Sequence, residues 1–84
     1  MSGKEEILLE VNTPKETLLN LMVEKVFIPG VCGPFEVLRR HASLITALES
    51  GEIRYMSDGQ MHSLPVRSGF VDIHNNKVSI CLDL

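Results

Sequence analysis

Residues 26–48, VFIPGVCGPFEVLRRHASLITAL, constrain the fold of this chain more than any other stretch. A β-branched run meets Pro29-Gly30, then Gly33-Pro34, and restarts as a second apolar run. His41 then heads a further apolar segment. Proline supplies no backbone N–H, and glycine opens conformations closed to other residues, so both pairs act as turn punctuation. The pattern predicts a strand, a tight protruding loop, another strand and a corner. No catalytic motif sits inside it.

Eighty-four residues make a single domain, expected over residues 1–84. A domain of this size buries roughly 60% of its unfolded surface, so its stability is marginal and a constant partner would help. At 44% hydrophobic and 23% charged residues the composition is that of a globular domain. Net charge is -3 and the basic residues are scattered, with only Arg39 and Arg40 adjacent. That excludes the basic stripe of a nucleic-acid binder. No uncharged run approaches the ~18 residues of a membrane helix. The opening MSGKEEILLEV carries acids where a signal peptide has bases, so a soluble protein made in the cytoplasm is expected. In that compartment Cys32 and Cys81 are expected to be reduced thiols.

Strand signals dominate the rest. FVDIH-NN-KVSICL predicts a hairpin about Asn75-Asn76, because asparagine tolerates the left-handed backbone of a type I′ turn. Register then sets Ile73 opposite Val78 and Val71 opposite Ile80, with Phe70, Asp72, His74, Lys77, Ser79 and Cys81 on the other face. EIRYM-SDGQ-MHSLPV predicts a second hairpin about Asp58-Gly59, with Ile53, Tyr55, Leu64 and Val66 on its apolar side. Pro65 places its strand at an edge or a bulge. Gly69 marks a close backbone approach or a bulge. Residues 7–11 predict a short strand. Beyond it the pattern is divided. Thr13-Pro14-Lys15-Glu16 matches a helix capping box, and Leu18, Leu19, Met22, Val23 and Val26 follow at helical spacing. The β-rich Val26-Phe27-Ile28 run and Asn20 oppose a helix. Short strands with frequent turns describe an all-β fold, a small antiparallel sandwich or flattened barrel.

No catalytic or metal-binding constellation stands in the sequence. His41, His62, His74, Cys32 and Cys81 show no zinc-type spacing, and an ordinary strand role is the simpler account of His62 and His74. Cys32 in its glycine-flanked loop could pair with His41 as a nucleophile, but no orienting third group or oxyanion loop accompanies them. No Gly-Lys-Ser/Thr follows either glycine pair, so there is no phosphate loop. His41 can fix its corner through loop carbonyls or face a partner. An interaction module remains.

The whole chain resembles the N-terminal β-sandwich domain of the F-type ATP synthase epsilon subunit, called delta in mitochondria. The resemblance is carried by a strand and Thr13-Pro14 turn, and by Val26-Phe27-Ile28-Pro29-Gly30 followed by Gly33, Phe35, Val37 and Leu38. It continues through His41-Ala42-Ser43-Leu44, Thr46-Ala47-Leu48 and Gly51, then Ser68-Gly69-Phe70-Val71-Asp72-Ile73, Asn76-Lys77-Val78 and Leu82-Asp83. It tips residues 13–30 towards two strand segments after a Thr-Pro turn. Five backbone-special positions depart from the family words: Glu36 and Ser68 stand for glycine, Arg39-Arg40 for Pro-Gly, and Ser43 for proline. Contacts there are expected to be reshaped.

The resemblance implies a non-catalytic rotor subunit without cofactor, metal or nucleic-acid partner. The sandwich is expected to grip the gamma subunit and rest a loop on the c-ring, so that proton- or sodium-driven rotation passes upward. Residues 31–36 match the c-ring-facing loop, making Val31, Cys32, Pro34 and Glu36 candidate contacts. His41 and Thr46 match positions near gamma. Charge reversal at Glu36 is expected to weaken c-ring association more than stability. The family's C-terminal helical hairpin, with its inhibitory role and much of its ATP-sensing site, is not matched, so ATP binding is not expected. The expected location is the cytoplasmic face of the bacterial inner membrane, peripheral and held through the complex. The alternatives are an unrelated small sandwich that binds peptides or proteins at an edge strand and, more remotely, a cysteine-dependent enzyme.

Overall fold

The computed structural model describes residues 6–83, and over them the chain is nine β-strands without a helix. β1 (Ile7–Asn12) lies between antiparallel β2 (Thr17–Val23) and parallel β9 (Lys77–Leu82). β8 (Gly69–His74) follows on β9, and β5 (Leu44–Leu48) on β8, completing one layer. The other layer runs β4 (Gly33–Val37), β3 (Lys25–Gly30), β6 (Gly51–Ser57), β7 (Gln60–Val66). The layers join where Gly30 pairs with Leu48, reinforced by Val31 N–H donating to the Ala47 carbonyl at 3.0 Å and Glu49 N–H to that of Pro29 at 2.7 Å. The chain changes layers at Glu49-Ser50, between β5 and β6. A second seam forms where Glu24 N–H, just past β2, donates to the Met56 carbonyl of β6 at 2.8 Å. Overall extents of 37 × 25 × 19 Å fit two sheets stacked about 10 Å apart with their side chains.

The core between the layers is mostly Val and Ile, the residues that pack best on a pleated surface. Strict alternation puts Ile7, Leu9 and Val11 of β1 inside, in one core with Val26 and Ile28 of β3. β8 and β9 alternate as their sequence requires. Val71 pairs with Ile80 and Ile73 with Val78, all almost wholly buried, and Asn75 and Asn76 take φ of 51° and 60°. The second hairpin turns at Asp58 and Gly59, with φ of 53° and 74°. Its strand β7 is an edge strand, the position Pro65 requires. Gly69 is a close approach rather than a bulge: a Cβ there would stand 2.2 Å from the Cys81 carbonyl oxygen.

The divided N-terminal region resolves as strands. Thr13 Oγ1 accepts from the N–H of Lys15 at 3.2 Å and of Glu16 at 3.1 Å, the bonds a helix cap would make. Here they close a turn, and Thr13 N–H donates to the Glu16 carbonyl at 2.8 Å. β2 then pairs with β1 along its length, turning Leu19, Leu21 and Val23 to the core and leaving Leu18 and Met22 exposed. Pairing satisfies the backbone that helical spacing alone leaves undecided. The protruding loop is shorter than the sequence suggests. Only Val31 and Cys32 form the turn, and Gly33 onward is β4.

Candidate partner-binding surface

At the end of the sandwich where the layers join, the β3–β4 hairpin overhangs β5. A shallow groove of about 390 Å³ opens between them, lined by Cys32, Pro34, Phe35, Leu44, Ile45 and Thr46 among others. Its shape depends on Gly30: a Cβ there would meet the Phe35 ring at 2.9 Å, so only glycine lets that ring lie against the strand. Val31 and Cys32 are exposed at the tip, Pro34 is exposed beside it, and Thr46 is half-buried opposite. The groove thus brings Cys32 and Pro34 together with Thr46, residues the sequence reading assigned to two different contacts.

Glu36 stands apart. It lies on β4 opposite Phe27 of β3, where its carboxylate reaches Lys25 Nζ at 3.7 Å. That face is amphipathic, with Lys25 and Arg54 over the Phe27 ring at 5.9 and 5.0 Å from its centroid. A smaller cleft of about 230 Å³ beside it is lined by Phe27, Pro29, Pro34, Glu36 and Arg54 among others.

His41 performs the corner-fixing role. Its Nδ1–H donates to the Ala42 carbonyl at 2.7 Å, its backbone N–H donates to the Leu38 carbonyl at 3.1 Å, and its ring lies 6.0 Å from that of Phe35. The corner is tied to its surroundings at three further points. Arg39 reaches the Glu6 carboxylate at 2.9 Å, and Arg40 N–H donates to Asn76 Oδ1 at 2.6 Å. Ser43 Oγ meets His74 Nδ1 at 3.1 Å. Since the Asn75 amide occupies His74 Nε2 at 3.1 Å, the proton belongs on Nδ1 and Ser43 accepts it.

One exposed apolar feature was not legible in the strand pattern. Ile45 is 72% and Phe70 57% exposed, and the β5–β8 register puts Ala47 opposite Phe70 on their common outer face. This apolar strip adjoins the hairpin tip, because Val31, itself exposed, is bonded through its backbone to Ala47. A phenylalanine among Asp72, His74, Ser79 and Cys81 on an otherwise polar face was the available signal. Among the described residues, no three His, Cys, Asp or Glu side chains are grouped to hold a metal ion.

Residues 6–83 match the sequence model of the ATP synthase delta/epsilon chain β-sandwich domain. The chain belongs to this family. Relatives named ATP synthase epsilon chain include one from Anaeromyxobacter sp. (strain K), 36% identical over 75 residues. Another, from Carboxydothermus hydrogenoformans, is 38% identical over 76 residues. The alignments cover 89% and 90% of this chain and 57% of each relative, so the chain spans little more than half their length. Among solved structures, a chain of the Euglena gracilis mitochondrial ATP synthase superposes with a TM-score of 0.86 at 21% identity, over 93% of this chain and 51% of its own. One from the Tetrahymena thermophila mitochondrial ATP synthase central stalk and c-ring gives 0.77 at 14% identity, over 96% and 66%. These share the fold.

Within this epsilon-type fold the departures from the family words are all engaged. Glu36 pairs with Lys25, Arg39 with Glu6 and Ser43 with His74, and Ser68 Oγ donates to Asp83 Oδ2 at 3.3 Å. Arg39, Ser43 and Ser68 bond through their side chains to other segments, Glu36 reaches from β4 to the neighbouring strand, and Arg40 bonds through its backbone N–H to Asn76. The reading as an unrelated sandwich falls with the family match.

Proposed function

We propose that this chain is a non-catalytic central-stalk subunit of an F-type ATP synthase, linking c-ring rotation to the gamma subunit. Its place is peripheral, at the cytoplasmic face of a bacterial inner membrane. Family membership over residues 6–83 supports the reading. The observation that carries it in this chain is the set of exposed apolar side chains Val31, Ile45 and Phe70 around Ala47, which is bonded to Val31 and paired with Phe70. Exposed aromatic and branched side chains set together mark a covered surface. In this reading Val31, Cys32 and Pro34 form the c-ring contact, and Glu36 adds charge from the neighbouring face. His41 and Thr46 support the gamma side next to the strip. Exposed ion pairs contribute little energy but orient the parts. Rotation needs no chemistry from this subunit, only a stiff body gripped at two places, and the pairing of both layers supplies stiffness.

Cys32 provides the test. In a Cys81→Ser background, a photoreactive maleimide placed on Cys32 in native membranes is expected to cross-link the c-subunit. Exclusive cross-linking to soluble proteins would overturn the assignment of the hairpin tip.

A further inference from the structure

Between β4 and β5 the chain runs from Leu38 to Ser43 outside any strand, with His41 half-buried among exposed neighbours. No ladder holds this corner, so its place depends on ties to other elements. Two of them run to the β8–β9 turn. Arg40 N–H donates to Asn76 Oδ1 at 2.6 Å, and Ser43 Oγ meets His74 Nδ1 at 3.1 Å. The turn is itself anchored from the far side, because Leu8 N–H of β1 donates to the Asn76 carbonyl at 2.9 Å.

Glycine is the favoured residue at the place Asn76 occupies. It is the second residue of a two-residue hairpin turn and takes φ of 60°, where Asn-Gly is among the preferred pairs. Glycine adopts that backbone without steric cost, whereas asparagine only tolerates it. What asparagine adds is a side-chain acceptor, and here the acceptor is taken by Arg40, 36 residues earlier in the chain. Asn75 differs, since its amide serves the adjacent His74 within the turn. Turn formation alone therefore accounts for Asn75 but not for Asn76.

We infer that Asn76 is a positioning residue for partner binding: together with His74 it latches the corner, so that His41 meets gamma already in place. The inference rests on the reading that His41 lies on the gamma side. A loop ordered beforehand avoids the cost of being ordered on binding, so the latch strengthens association without touching the partner.

Asn76→Gly separates the turn from the latch. As a turn residue glycine is at least as good, so melting is expected to hold or rise. As a latch it has no acceptor, so exchange of the Arg40 amide in the free chain is expected to quicken about 2- to 10-fold, the worth of one hydrogen bond. Affinity for purified gamma, measured by calorimetric titration, is expected to fall by about the same factor. Asn76→Asp keeps the acceptor and tolerates the left-handed backbone, and is expected to restore both readouts. Unchanged affinity of Asn76→Gly alongside quickened Arg40 exchange would overturn the inference. So would a loss of affinity that comes with a lowered melting temperature, since that pattern belongs to general destabilisation. Failure of the unmodified chain to bind gamma would contradict the stalk reading instead, and the Arg40 amide tells the two apart because it reads the latch without any partner.

Discussion

Arg40 holds φ of 68°, a left-handed conformation that costs an ordinary L-residue about 1–2 kcal/mol. Its backbone N–H is fixed there by Asn76 Oδ1, so the corner before β5 is clamped to the β8–β9 turn at the expense of local strain. The family word has glycine at this position, which the conformation favours. Glycine also loses more chain entropy on folding, by about 0.5–1 kcal/mol. Arg40→Gly is therefore expected to stabilise the chain by up to about 1 kcal/mol, raising Tm by a few degrees, roughly 4–8 °C at most. Thermal unfolding followed by circular dichroism checks it, and an unchanged or lower Tm would mean that the Arg40 side chain stabilises the corner more than its backbone strains it. His41, next along, shows what single residues do reveal. A histidine at a corner signals a turn held by its ring, and the ring does hold the Ala42 carbonyl. Whether a partner also meets that ring is a property of the complex, and nothing in a lone side chain encodes it.

Among the strands, β9 carries the heaviest structural duty, since it pairs antiparallel with β8 and parallel with β1. Ile80 sits where the two ladders meet, opposite Val71 on one side and Val11 on the other, with no exposed surface. Ile80→Ala leaves a void that neither neighbour can fill, and is expected to cost about 2–5 kcal/mol. For a chain whose total stability is of order 0.05–0.15 kcal/mol per residue, that is a large fraction. Urea denaturation of both forms would show a midpoint shifted strongly downward at similar slope, and a small shift would mean that the layers collapse around the gap. The β8–β9 hairpin was fully legible in the sequence because turn chemistry and alternation independently give the same register. β2 was not. Two adjacent apolar pairs, Leu18-Leu19 and Leu21-Met22, satisfy both helical and strand spacing, and only pairing with β1 selects one. The groove was illegible for a related reason: it is made by β4 overhanging β5, and the sequence does not show how far a hairpin leans.

For the whole molecule, the thin two-layer body matters as much as any contact. Its core is continuous through both layers, and its groove lies at the layer junction. A marginally stable domain whose two most exposed large apolar side chains, Ile45 and Phe70, lie on the strands beside the layer junction is suited to being held by partners there. The most direct measurement is affinity co-purification of the tagged chain from detergent-solubilised native membranes, followed by mass spectrometry. Gamma, the c-subunit and the catalytic hexamer are expected to follow the tag, and an Ile45→Asp, Phe70→Ser variant with unchanged Tm is expected to lose them. Recovery of soluble proteins alone by the unmodified chain would contradict the rotor role and leave an epsilon-type fold serving another partner.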